Sequence, residues 1–223
     1  MKQTAVAVGV SVEPMDRITD IVVQKRRGSR RSIYVNGEFF AGVGEEIVAE
    51  LGLRVGQEID AEKLAEVIRA EEIRSARESA LVMLDYRPRT EREIAAGLKR
   101  KGYSEEVIAT VIERLSDVGL IDDEKFAEQW VDSRLRSRLA GRARIAWELR
   151  GKGVNQETIE KALSEVDGED EVRMARELVA KKMASLSSPD EKAVRRLTSF
   201  LRRRGFDWDV ISKVLNEFGG GDY

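Results

Sequence analysis

Apolar residues recur along this chain at i, i+3, i+4 and i+7, and they do so three times in the same setting. Ile108, Val111, Ile112 and Leu115 form one such stripe. Ile159, Ala162, Leu163 and Val166 form the second, and Ile211, Val214, Leu215 and Phe218 the third. This spacing puts every member on one face of an α-helix. Upstream of each stripe stands a short motif: Lys101-Gly102-Tyr103, Lys152-Gly153-Val154 and Arg204-Gly205-Phe206, the glycines spaced by 51 and then 52 residues. The apolar residue after each glycine precedes a capping residue, Ser104, Asn155 or Asp207, and Ile108, Ile159 or Ile211 follows four positions on. That is the arrangement of a hydrophobic staple, in which the residue before the N-cap packs on the fourth helical residue. The helices preceding the glycines repeat as well, with Ile94 and Leu98, Ile145 and Leu149, and Leu197 and Leu201 in equivalent places. Each ends on a glycine that takes the left-handed conformation past the last turn. Thr90 with Glu93, and Ser188-Pro189 with Glu191, mark two helix starts.

A third helix precedes each pair, roughly over Ser75–Asp85, Asp123–Ser137 and Glu169–Ser185. The repeated unit is therefore three helices. A unit of about 50 residues buries too little surface alone, so neighbours must share faces. The expected fold class is mainly α: tandem three-helix repeats in an elongated curved array, behind a small N-terminal domain containing a β-hairpin. The expected partition is a flexible tail over 1–17, the β-hairpin and helices over 18–73, repeats over 74–121, 122–167 and 168–218, and a short tail over 219–223.

The N-terminal domain carries a different period. Ile18-Thr19-Asp20-Ile21-Val22-Val23 and Ser32-Ile33-Tyr34-Val35 have strand texture, and Asn36-Gly37 separates the second run from Glu38–Val43. Asn-Gly between apolar runs is a strong hairpin signal, because both residues tolerate the positive φ of a type I′ turn. A sheet over 19–43 needs helices on one face. Glu45–Leu51 and a helix from near Asp60, with Leu64, Val67 and Ile68 in phase, supply them, and 52–59 reads as a turn.

Composition narrows the chemistry. Charged residues make up 36% of the 223 and aromatics 6%, a profile that suits helices with solvated faces. Cys and His are absent. This removes disulfides, thiolate nucleophiles, Cys/His metal sites and the side chain that titrates near neutrality. No constellation supports an enzyme, and no cofactor or metal is expected. Asp122-Asp123-Glu124, which resembles a metal cluster, stands at a helix start, where it serves as N-cap and dipole complement. No signal peptide or membrane span is evident, so a cytoplasmic monomer is the simplest expectation.

The net charge of −2 conceals local bias. Residues 133–152 hold Arg134, Arg136, Arg138, Arg142, Arg144, Arg150 and Lys152 against the single acid Glu148. Residues 192–204 hold Lys192, Arg195, Arg196, Arg202, Arg203 and Arg204 with no acid. Solvated helix faces usually mix signs, since i,i+4 pairs stabilise and like charges repel. Two acid-poor stripes point to an anionic partner, DNA phosphate or an acidic protein groove. A loop over 25–31 brings Lys25, Arg26, Arg27, Arg30 and Arg31 as candidate phosphate contacts, or as a plain hairpin connection. It lacks the glycine spacing of a P-loop. Trp130, Trp147 and Trp208 fall at helical spacing and are expected to pack between helices rather than stack on bases.

At these residues the chain resembles the RecX family. The matching text runs from Arg87-Pro88-Arg89-Thr90-Glu91-Arg92-Glu93 through Leu98, Lys101-Gly102-Tyr103, Gly119-Leu120-Ile121-Asp122-Asp123 and Phe126-Ala127. It continues with Trp130-Val131, Arg134, Gly141, Arg144-Ile145, Glu148-Leu149 and Lys152-Gly153-Val154. The resemblance spans roughly 75–218, and the strand-rich leader from Ile18 is similar to the extension of longer members. One departure is Ala140-Gly141-Arg142, where many members read Gly-Pro before the basic residue; it predicts a softer start to that helix. The resemblance implies a negative modulator of the RecA recombinase, lying in the groove of RecA filaments on single-stranded DNA and impeding strand exchange, ATP turnover and co-protease activity. The alternative is a direct DNA binder of helix-turn-helix type.

Overall fold

The computed structural model describes residues 15–25, 27–137, 140–184 and 191–219. The expected tails at 1–14 and 220–223, the Ser188-Pro189 helix start, Arg26 and Arg138 lie outside them. The chain divides into two compact units, residues 1–81 with 98–111, and 82–97 with 112–223.

The first unit opens on a four-stranded antiparallel sheet. β1 (Asp16–Gln24), β2 (Arg27–Val35) and β3 (Glu38–Gly44) are followed by α1 (Glu45–Glu50), β4 (Glu58–Ile59) and α2 (Ala61–Tyr86). The strand order is β3-β2-β1-β4. Asn36 and Gly37 form the two-residue turn between β2 and β3, with φ of 52° and 85°, as a type I′ hairpin requires. The Asn36 side chain also accepts from the Arg17 amide at 3.0 Å and donates to Asp16 at 2.7 Å, which ties β1 to the turn. Ile18, Ile33, Val35 and Val43 face Ile47, Leu53, Ile59 and Ile68 in one buried cluster.

Three expectations change here. The first strand begins at Asp16, inside the segment read as a tail. Glu58–Ile59, read as part of a turn, pairs with Arg17 and Asp16 as the edge strand β4. Two residues are too few to show a strand period. The basic run is not a loop: β1 and β2 are separated by Lys25 and Arg26 alone, and Arg30 and Arg31 lie within β2.

Asp60 caps α2 by accepting from the Lys63 amide at 3.1 Å. The two helices expected from near Asp60 and over Ser75–Asp85 are one helix of 26 residues. No glycine or proline interrupts the segment, so nothing in it stops propagation before Pro88, which disfavours helix in the residue ahead of it.

The repeats follow as α3 (Glu91–Lys101) and α4 (Glu105–Asp117), then α5 (Asp123–Arg136), α6 (Arg142–Lys152) and α7 (Gln156–Ser164), then α8 (Gly168–Met183), α9 (Glu191–Arg203) and α10 (Trp208–Gly219). Gly102, Gly153 and Gly205 have φ of 99°, 94° and 83°. In all three places the amide after the glycine returns to the carbonyl five residues back: Tyr103 to Leu98, Val154 to Leu149 and Phe206 to Leu201. This is the Schellman closure, and it satisfies carbonyls that a helix end otherwise leaves orphaned. The stapling residues Tyr103, Val154 and Phe206 are buried, as are Ile108, Ile159 and Ile211. So are Ile94 and Leu98, Ile145 and Leu149, and Leu197 and Leu201. Phe218 is the exception in its stripe, because α10 ends one residue later and the ring stays 37% exposed.

Candidate binding surface

The start of α6 shows how one repeat is joined to the next. Gly141 stands at its N-cap and has no side chain to cap with. The first amides of the helix find acceptors in the third repeat instead. Glu171 on α8 accepts from the Arg142 amide at 2.9 Å. The carbonyls of Arg204 and Gly205 accept from Gly141 and Ala143 at 2.8 and 3.1 Å. A Cβ at Gly141 would stand 2.4 Å from the Gly205 oxygen, so only glycine permits the approach. The helix start that the Ala-Gly-Arg departure led us to expect to be soft is held from outside.

The same junction occurs one repeat earlier. Asp123, in the first turn of α5, accepts from the Glu91 amide at 3.0 Å, and the Thr90 hydroxyl donates to the Lys152 carbonyl at 2.7 Å. Asp123 and Glu171 are equivalent: each lies three residues before a buried pair, Phe126-Ala127 or Met174-Ala175. Burial is the main influence on both carboxyls and pushes both pKa values above the usual range, against the amide bonds that favour the charge. Asp122 does cap its own helix, accepting from Lys125 at 2.8 Å. Asp123 caps a different one, a role that aligning the repeats at Phe126 and Met174 would have suggested.

The basic residues separate into engaged and surface groups. Arg142 contacts the Glu171 carboxylate at 3.4 Å and donates to the Val166 carbonyl. Lys152 pairs with Glu93 at 2.9 Å and lies 4.3 Å from the Trp130 ring centre. Arg134 bonds Glu148 at 2.7 Å and covers Trp130 at 4.3 Å. By contrast Arg136, Arg144, Arg150, Lys192, Arg195, Arg196, Arg202 and Arg203 are exposed. Arg136 pairs with Asp132 and Arg195 with Glu191, both across one helical turn, and Arg150 bonds Gln156 at 3.0 Å. Arg204 is half-buried over the Phe200 ring at 4.9 Å.

In the N-terminal basic run Arg30 and Arg31 are used differently, each engaged by a carboxylate of its own unit. Lys25 is exposed at the β1–β2 turn. Arg30 is 6% exposed and pairs with Glu72 of α2 at 3.1 Å. Its guanidinium also donates to the Gly42 carbonyl and stands 5.7 Å from the Tyr103 ring centre. Glu72 accepts from the Gly44 amide at 3.1 Å with its other oxygen. Arg31 is largely covered and bonds Glu45. A buried charge requires such partners, and a guanidinium so enclosed is not open to a phosphate.

The two stripes of the repeats meet. Arg134, Arg144, Arg203 and Arg204, with Ala140 and Glu148, line a hollow of about 420 Å³ in the second unit. Among the described residues Glu148 is its only acid, and it accepts from Trp130 at 3.1 Å, Arg134 at 2.7 Å and Arg144 at 3.2 Å. Burial raises the Glu148 pKa, but these three donors outweigh it and hold the carboxyl below the usual range. The tryptophans depart from the expected packing. Trp130 is half-buried and stacked on Phe126 at 5.8 Å, but Trp147 and Trp208 are 60% and 59% exposed. Helical spacing puts Trp147 on the outer side of α6, away from Ile145 and Leu149. Among the described residues no group of three or more carboxylates is placed to hold a metal ion, and no helix is long and apolar enough to cross a membrane.

These features define a class: a tandem three-helix-repeat protein whose exposed chemistry is concentrated in a shared arginine surface. Family models agree with that architecture segment by segment. The Regulatory protein RecX N-terminal domain matches residues 16–60, and the first, second and third RecX three-helix domains match 76–115, 122–163 and 169–215. The chain belongs to the RecX family of regulatory proteins. It is 32% identical over 212 residues to a Regulatory protein RecX of Clostridium perfringens (strain SM101 / Type A), covering 94% of this chain and 99% of that one. It is 41% identical over 160 residues to a Regulatory protein RecX of Amycolatopsis mediterranei (strain U-32), covering 70% and 91%. A crystal structure of regulatory protein RecX superposes with a TM-score of 0.66 at 27% identity, over 91% of this chain and all of that one. That of RecX from Lactobacillus salivarius gives 0.62 at 27% identity, over 66% and 97%.

Proposed function

We propose that this protein is a negative regulator of the RecA recombinase, binding in the groove of RecA filaments on single-stranded DNA and inhibiting strand exchange, ATP turnover and co-protease activity. It acts in the cytoplasm by occupancy rather than by chemistry, and as a monomer. Family membership supports RecA as the partner. The observation that carries the mode of action is the convergence of two basic segments, from different repeats, on one arginine-lined hollow. Arginine suits both partners in such a filament, since it pairs with carboxylate and phosphate alike in bidentate geometry. The test is RecA-dependent ATPase on single-stranded DNA, titrated with substoichiometric protein. Inhibition is expected; ATP turnover unchanged across the titration would refute the proposal.

A further inference from the structure

We propose that the surface shared by α6 and α9 binds single-stranded nucleic acid directly, with Trp147 as a stacking platform for a base and Arg144, Arg203 and Arg204 as contacts for the adjoining phosphates. It needs no RecA and goes beyond the regulatory reading.

Trp147 exposes 60% of its surface, although the same helix buries Ile145 and Leu149 completely. An indole left in water on a helix with a formed core is not serving that core. The Arg144 guanidinium lies 4.5 Å from the ring centre, and the same arginine lines the hollow with Arg203 and Arg204. The aromatic surface and the basic hollow are therefore adjacent, joined through Arg144. Aromatic platforms beside a basic track are how single strands are held without sequence preference, since every base has a π-face and every linkage a phosphate.

Charge within the hollow favours the same ligand. Its one carboxylate among the described residues, Glu148, is already bonded to Trp130, Arg134 and Arg144, so it neutralises lining groups and presents little free charge to an incoming anion. A duplex would leave Trp147 idle, because its bases are stacked on one another. An acidic protein groove would also use the arginines and leave the indole idle.

The experiment is titration of the full chain with oligothymidylate at low salt, following tryptophan emission. Quenching is expected in the natural protein and in Trp208→Phe, an equally exposed control. Trp147→Phe is expected to lose most of the quenching, with helical circular dichroism unchanged. Arg203→Glu is expected to weaken binding and to flatten the slope of log K against log salt by about 0.7 for each phosphate it leaves unneutralised. The proposal is overturned if oligothymidylate does not bind, or if Trp147→Phe quenches like the natural protein. It is equally overturned if polyglutamate quenches Trp147 and oligothymidylate does not. RecA is absent throughout, so none of these results depends on the outcome of the ATPase titration.

Discussion

Arginines crowd together in two regions of this protein, and the fold uses them in opposite ways. In the N-terminal sheet Arg30 and Arg31 are drawn inward, and Arg30 ends as one half of a buried ion pair with Glu72. In the second and third repeats the stripes at 133–152 and 192–204 leave most of their members in water, and Arg203 stands exposed at a hollow. The difference follows from backbone period. A strand turns alternate residues to opposite faces, so a dense basic run must send some of its charges toward the core. A helix offers a whole outer face, and long basic side chains stay there while their stems cover apolar surface.

That contrast is easiest to break at Glu72. Glu72→Ala leaves Arg30 buried without its carboxylate and should cost about 3–5 kcal/mol of stability in a urea titration. A loss below about 1 kcal/mol would mean that Arg30 escapes to solvent and the two regions do not differ. The junctions come next. Glu171→Ala removes the acceptor for the Arg142 amide and the partner of its guanidinium, and is expected to cost about 1–2 kcal/mol by the same measurement. Gly205→Ala should exceed Gly153→Ala, each costing at least about 1 kcal/mol for a left-handed backbone. A Cβ at 205 meets the Arg144 backbone nitrogen, which cannot move aside, whereas one at 153 meets the Arg92 side chain, which can. Arg203→Glu stands at the far end, within about 0.5 kcal/mol of the natural protein, while changing affinity for an anionic partner.

Acidity gives a smaller and signed test of the junctions. Burial raises the Glu171 and Asp123 pKa values, so the folded state holds their protons more tightly than the unfolded chain. Their contribution to stability is therefore fully present below the ordinary carboxylate range and is lost as pH rises through the raised folded values. Glu171→Gln removes its part of that dependence, so the fall in urea midpoint across this window should be shallower in the variant.

Most of the repeat architecture is local, and local features can be read from one chain. The glycine at the end of each second helix, the staple after it and the stripe that follows are set by residues within a few positions of one another. The Asn36-Gly37 turn belongs with them, as do the caps by Asp122 and Asn155. Each is a steric or hydrogen-bonding requirement completed within a turn or two of backbone. The edge strand at Glu58–Ile59 was not legible, because two residues show no period and the pairing partner lies some forty positions away.

The candidate surface was legible only in its ingredients. Sequence pattern alone selected the two stripes and set them apart from mixed-sign helix faces. It could not separate Arg142 and Lys152, which stabilise the fold, from Arg144 and Arg203, which face water, because their partners Glu171 and Glu93 are 29 and 59 residues distant. Nor could it expose Trp147 or bring Arg134 beside Arg203. What the sequence by itself determined is the repeating helical unit, its punctuation and its excess of positive charge, all products of short-range backbone sterics and periodicity. The tertiary structure alone decided which charges are buried, how Asp123 and Glu171 join one repeat to another, and which arginines share a hollow. Those outcomes depend on which distant groups meet, and on whether water is excluded where they do.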